Sequence, residues 1–173
     1  MPDLYVSRSD YHRTVEQLAV NIYRDRWKFD QIICIARGGL RVGDILSRLY
    51  DCPLAILAVS SYGGATGQVR GTITFARELT MTAPRLGHRV LLVDDLVDSG
   101  VSLQQTLRWL QDRYGEEIAE IRTAVLWYKS CSVIVPDYYV DYLPDDPWIH
   151  QPFEVYERTS PAELAAQLEQ VVQ

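Results

Sequence analysis

Three short apolar runs constrain this chain most. Residues 31–36 (QIICIA), 54–59 (LAILAV) and 89–93 (RVLLV) are brief, rich in aliphatic and β-branched side chains, and bounded by polar or glycine-containing stretches. Runs of that length and composition read as strands buried on both faces. Segments with helical spacing alternate with them. Tyr11, Val15, Leu18 and Ile22 form one apolar stripe, with Ser9 or Asp10 as the expected cap. In residues 40–50, Val42, Ile45, Leu46 and Leu49 share a side. Residues 102–114 predict a further helix, and 121–127 and 138–143 further strands. Ser160, Pro161 and Glu163 spell a capping box with proline at the first helical position. Such alternation requires one α/β domain, its twisted and mainly parallel sheet flanked by helices on both faces. Ligands of such sheets bind beyond the C-terminal ends of the strands. The polar residues just after each apolar run are therefore the functional candidates.

Composition narrows the classes. The formal net charge of -6 and the pI near 5.0 argue against nucleic acid as the main partner. No stretch approaches the length of a membrane span, and the polar first ten residues are unlike a signal peptide, so the chain is expected to be cytoplasmic. Cys34, Cys52 and Cys131 are an odd, widely spaced set, neither a disulfide framework nor a zinc site.

The 89–93 run ends in Asp94-Asp95, followed by Leu96-Val97-Asp98-Ser99-Gly100-Val101-Ser102. Adjacent carboxylates at an open strand end accept hydrogen bonds from vicinal sugar hydroxyls. They also suit a contact, direct or through water, to a Mg²⁺ held mostly by substrate oxygens. Residues 98–102 offer hydroxyls and backbone N–H groups at a helix start, an arrangement that binds a phosphate monoester. The first run ends in Ala36-Arg37-Gly38-Gly39, where a guanidinium and unobstructed N–H groups suit a pyrophosphate. Lys129 follows another strand, and Trp148-Ile149-His150-Gln151-Pro152-Phe153-Glu154 comes later. An indole stacks on flat heterocycles, and a lysine donates to an exocyclic oxygen.

In this order, the acidic string resembles the signature of type I phosphoribosyltransferases. With Lys129 and the Trp148 string, the resemblance is to bacterial xanthine-guanine phosphoribosyltransferases and runs roughly from Ile32 to Glu154. It implies transfer of the phosphoribosyl group from phosphoribosyl pyrophosphate to a 6-oxopurine, with Mg²⁺ as cofactor. Asp94 and Asp95 would meet the ribose, and residues 98–102 (Asp98, Ser99, Gly100, Val101, Ser102) the 5-phosphate. Ala36, Arg37, Gly38 and Gly39 would meet the pyrophosphate, through a loop that in the family often holds a strained peptide at the Ala36-Arg37 position. Lys129 would contact purine O6, Trp148 would stack, the Ile149 backbone would read the base edge, and Leu96 and Val97 would form the opposite wall. Asp98, Arg37 and Lys129 are the expected catalytic residues, and Asp94 and Asp95 the expected metal contacts. Residues 60–78 are expected to form a lid, with Ser61 and Tyr62 matching the lid's Ser-Tyr pair, and 129–158 a small base-binding hood. A homo-oligomer, dimeric or tetrameric, is also implied.

The chain departs from that pattern in places. Ser99 and Ser102 stand where threonine is usual, the 60–89 stretch is glycine-rich, and Phe153-Glu154 replaces Trp-Asp. Two alternatives accompany the reading: a regulator that binds the same ligand without turnover, and a transferase for orotate, adenine or uracil. A P-loop phosphotransferase would need the G-x-x-x-x-G-K-[ST] string, which the sequence lacks.

Overall fold

The computed structural model describes residues 3–62 and 72–171; of Ser61, Tyr62, Gln170 and Val171 it describes the backbone alone. In chain order the elements are β1 (Leu4–Tyr5), α1 (Arg8–Asp25), β2 (Gln31–Ala36), α2 (Gly39–Tyr50) and β3 (Leu54–Tyr62). Then come β4 (Thr72–Phe75), β5 (Arg89–Val93), β6 (Leu96–Val97), α3 (Val101–Tyr114), β7 (Glu120–Ala124) and β8 (Trp127–Lys129). β9 (Asp141–Leu143), β10 (Ile149–His150), α4 (Val155–Arg158) and α5 (Pro161–Val171) complete the described chain.

The five-stranded sheet has the order β4-β3-β2-β5-β7, parallel throughout except for β4, which pairs antiparallel with β3. All three apolar runs are in it. Residues 31–35 and 90–93 are buried, as a strand covered on both faces must be. Alternation sends Ile33, Ile35, Val90 and Leu92 into one core with Leu103 and Leu110 of α3. α2 packs on β2, β3 and β5. The chain leaves β2 through α2 toward β3 and leaves β5 through α3 toward β7, in opposite directions across the sheet. The β2/β5 boundary is thus the topological switch point, where the two departing loops open a crevice.

Several boundaries differ from the sequence expectation. α1 starts at Arg8, because Ser7 is the cap: its Oγ accepts the Asp10 N–H at 3.1 Å and donates to the Asp10 carboxylate at 2.5 Å. In α2 the buried face is Gly39, Val42, Gly43 and Leu46, while Leu49 is 60% exposed; the glycines admit closer packing than the apolar stripe suggested. The strand expected at 121–127 breaks. β7 stays in the central sheet, and β8 moves to a second parallel sheet, β6-β8-β9. Leu126 and Trp127 both donate to the Asp95 carbonyl there, at 3.0 and 3.2 Å, and this turns the strand. Of 138–143 only 141–143 is strand, with Tyr138 forming one bridge to Ala124.

By contacts the chain divides into a larger unit, residues 14–146, and a smaller one made of residues 1–13 and 147–173. The segment expected as a hood, 129–158, divides between them. In the smaller unit β1 pairs parallel with β10, and neither strand was foreseen, since two residues carry no periodic signal. The capping box before α5 forms as expected: Ser160 Oγ and N–H both donate to the Glu163 carboxylate, at 2.9 and 2.7 Å. Of the expected lid, residues 63–71 lie outside the described residues. Ser61 and Tyr62 extend β3 opposite Ile73 and Thr72, and their side chains are likewise outside the description. Among the described residues no helix is long and apolar enough to cross a membrane.

Candidate active site

The two loops leaving the switch point meet. A Cβ placed on Gly38 would collide with the Asp95 carboxylate, and one on Gly39 with the Val93 carbonyl. Only glycine therefore lets the β2–α2 turn close onto the end of β5. The Ala36–Arg37 peptide bond there is cis. Arg37 is exposed, Gly38 half-buried and Gly39 buried.

The acidic pair is held by its backbone. Asp94 N–H donates to the Ala124 carbonyl at 3.1 Å, and the Asp95 carbonyl accepts from Leu126 and Trp127. Asp95 N–H donates to Asp94 Oδ1 at 2.9 Å, and the Gly39 N–H also reaches the Asp94 carboxylate. Both side chains are half-buried. Burial first, and then the charge of Asp95, hold the Asp94 carboxyl well above the ordinary carboxylate range. Ionising both carboxyls is thus costly in this poorly solvated place, and bound hydroxyl donors or a cation would favour the ionised pair. Among the described residues no cluster of three or more His, Cys, Asp or Glu could cage a metal. Two adjacent carboxylates are by their chemistry a donor set suited to a Mg²⁺ that takes one or two carboxylates and fills its shell from substrate and water.

The loop 98–100 is built as a cup. Gly100 is buried with φ 77°, in the left-handed region, and caps α3 without any side-chain cap bond. A Cβ there would meet Ser132 Oγ and Ile134. The first N–H groups of α3 have no intrahelical acceptors, and Ser99 and Ser102 are exposed beside them. α2 likewise starts without a side-chain cap. Two helix N-termini, favourable to anions, thus follow the two strands that flank the crevice.

Behind the cup stands the loop after β8. Val133 N–H donates to the Ser99 carbonyl at 2.9 Å. Lys129, at the end of β8, has a side chain only 7% exposed, with Nζ 3.3 Å from Oδ1 of Asp98, itself 60% exposed. A buried ammonium needs such a partner. The structure thus brings together the two residues expected as general base and O6 donor. Cys131 Sγ lies 3.6 Å from Asp98 Oδ1 and 3.7 Å from its carbonyl. Asp146 accepts from Ser130 Oγ at 3.2 Å and from the Cys131 N–H at 3.4 Å. Sequence reasoning singled out neither Cys131, Ser132 nor Asp146; small polar residues in a loop give no periodic signal. Leu96 is half-buried and Val97 buried, so Leu96 alone of the expected wall retains appreciable exposure.

Residues 7–158 match the family of the phosphoribosyl transferase domain. The chain belongs to that family. A curated relative, the xanthine-guanine phosphoribosyltransferase of Idiomarina loihiensis, is 29% identical over 160 residues, covering 89% of this chain and 88% of its own. The crystal structure of a purine phosphoribosyltransferase from Pyrococcus horikoshii superposes with a TM-score of 0.66 at 29% identity, covering 88% of this chain and 94% of that one. A Helicobacter pylori xanthine-guanine-hypoxanthine phosphoribosyltransferase has a TM-score of 0.73 at 22% identity, with 91% and 97% covered, a likeness of fold. In this phosphoribosyltransferase domain the α/β fold expected from the apolar runs is present, with the signature string at its switch point.

In the smaller unit Trp148 is 59% exposed and Ile149 is buried. Leu4 N–H donates to the Trp148 carbonyl at 2.8 Å, and Val6 N–H to the His150 carbonyl at 3.0 Å. In a parallel ladder the residue between two such acceptors turns its own N–H and C=O to the opposite edge. No other described strand covers that edge of β10. The Ile149 N–H and C=O face that edge.

Proposed function

We propose that the protein transfers the 5-phosphoribosyl group of phosphoribosyl pyrophosphate to N9 of a 6-oxopurine (guanine, xanthine or hypoxanthine), a purine-salvage reaction. The observation that carries this reading is the Asp98–Lys129 pair at 3.3 Å beside the uncapped N-terminus of α3. It supports the reading because a carboxylate acceptor and a buried ammonium stand next to a helix N-terminus, which favours anions. The C1–pyrophosphate bond breaks, the C1–N9 bond forms, and the purine loses a proton. Asp98 takes that proton from N7 as general base. Lys129 donates to O6 as charge grows there, a role wasted on adenine, whose 6-amino group is itself a donor. Arg37 and the N–H groups of the Gly38-Gly39 turn receive the departing pyrophosphate. Residues 98–102 hold the 5-phosphate, and Asp94 and Asp95 hold the ribose hydroxyls.

Mg²⁺, held by Asp94 and Asp95 directly or through water, would supply charge neutralisation of the leaving group when bound. Trp148 stacks on the base and Ile149 reads its edge in this reading, supported by an exposed indole and an uncovered backbone edge. The reading also takes in a dimeric or tetrameric assembly and a cytoplasmic setting.

The test is a panel of guanine, xanthine, hypoxanthine and adenine with phosphoribosyl pyrophosphate and Mg²⁺, followed by nucleotide formation. Turnover of at least one 6-oxopurine is expected, with adenine inert. Ligand binding without pyrophosphate release on any base would favour the regulator instead. Asp98→Asn should lower turnover about 10²-fold or more, the scale of general-base catalysis. Unchanged turnover would remove the base role.

A further inference from the structure

Among the described residues, His150 is the one histidine held between two carboxylates. Its Nε2 is 3.0 Å from Asp3 Oδ2 and its Nδ1 3.2 Å from Glu154 Oε2. Its ring stacks on Tyr5 at 4.4 Å between centroids and 13° between planes. A neutral imidazole has one N–H, so it serves one carboxylate; only the imidazolium donates to both. The three partners come from the segment before β1, from β1 itself and from the residue before α4. The ring therefore ties one end of the described chain to a strand near the other.

We propose that His150 is a positioning residue for the base. By bridging Asp3 and Glu154 it fastens β1 along one edge of β10 and so sets the opposite edge, which carries the Ile149 N–H and C=O. The inference rests on the reading of Trp148 and Ile149 as base contacts. Two further contacts join the stretches of chain that follow β1 and β10. Arg8 Nη2 donates to Tyr156 Oη at 2.7 Å, and Phe153 meets Tyr11 edge-on at 5.1 Å.

The titratable groups facing the ring are Asp3, Tyr5 and Glu154. The hydrogen bond to Asp3 first, and then that to Glu154, hold the imidazole above its ordinary value of 6.5. A raised pKa in the folded state means the two-sided bridge is complete at lower pH. It is lost as pH rises through that raised value, when one carboxylate is released. The Ile149 edge then loosens.

The experiment measures KM for the base and kcat from pH 6 to 9 in the wild type, His150→Gln and Asp3→Asn. Gln keeps one donor and does not titrate. The wild-type KM should climb relative to His150→Gln by about three- to tenfold on the alkaline side, the scale of one ordinary hydrogen bond. kcat should move far less, and the Leu4 and Val6 amides should exchange faster in both variants. Should His150→Gln fail to fold, Asp3→Asn, at a side chain 44% exposed, reads the same KM profile. Trp148→Ala separates the two layers. If it leaves the base KM unchanged, the base reading itself falls. If it raises KM while the profiles of wild type and both bridge variants coincide, the positioning role alone is overturned.

Discussion

At the scale of single residues, the site sets poorly solvated charges, Asp94 and Lys129, beside exposed ones, Arg37 and Asp98. Asp94 is raised by burial and by Asp95, so folding favours its protonated form. Its folded pKa exceeds the unfolded value of about 3.9. Folding therefore binds a proton above that pH, and stability declines as pH rises through the folded value. Asp94→Asn removes this loss and keeps an oxygen for the Asp95 N–H. The variant should gain thermal stability over the wild type at pH 7.5 and gain little at pH 4. An equal difference at both pH values would show that the carboxyl does not carry it. Gly100 is constrained twice, by φ 77° and by Ser132 and Ile134 against its Cα. Gly100→Ala should cost about 1–3 kcal/mol in denaturant unfolding, and should raise the KM for phosphoribosyl pyrophosphate more than that for the base. The residues named from sequence as Asp98 and Lys129 do meet. The support from Cys131, Ser132 and Asp146 was not legible, because a contact between loops 30 residues apart leaves no local trace.

At the scale of elements, α3 shows how one helix serves fold and site together. Its N-terminus faces the cup, and Leu103, Thr106 and Leu110 are its buried residues. Leu110→Ala should lower stability by about 2–5 kcal/mol through the cavity it leaves. Gln105→Ala, on the exposed side, should stay within about 0.5 kcal/mol; equal effects would contradict the packing described. α3 was read from 102 in sequence and starts at 101, while the strand read at 121–127 became two strands in different sheets. Periodicity reports burial along a run, and both halves of 121–127 are largely buried. Only the hydrogen bonds from Leu126 and Trp127 to Asp95 tell where the run bends.

For the molecule as a whole, stability should concentrate in the parallel sheet. β2 and β5 lie between neighbours on both sides and are buried, so their amides should exchange slowest, near the global unfolding limit. α5 is mostly exposed and should exchange far faster. Hydrogen exchange followed by mass spectrometry checks this; comparable protection in α5 would refute it. The acidic balance of the chain coexists with a proposed polyanionic substrate because the positive potential is local. Its proposed sources are two helix N-termini, Arg37 and Lys129 rather than net charge.

What the sequence by itself determined was the alternation of apolar runs with amphipathic segments, the polar strings that follow those runs, and hence the family and the end of the sheet where ligands bind. These are local properties, written in periods of two and 3.6 residues and in short motifs. Tertiary structure alone decided the order of the strands, the closure of Gly38 onto Asp95, the pairing of Lys129 with Asp98 and the bridge of His150 to Asp3 and Glu154. Each of these joins groups distant along the chain, and a hydrogen bond or ion pair over such separations depends on the path of the backbone rather than on the composition of either segment.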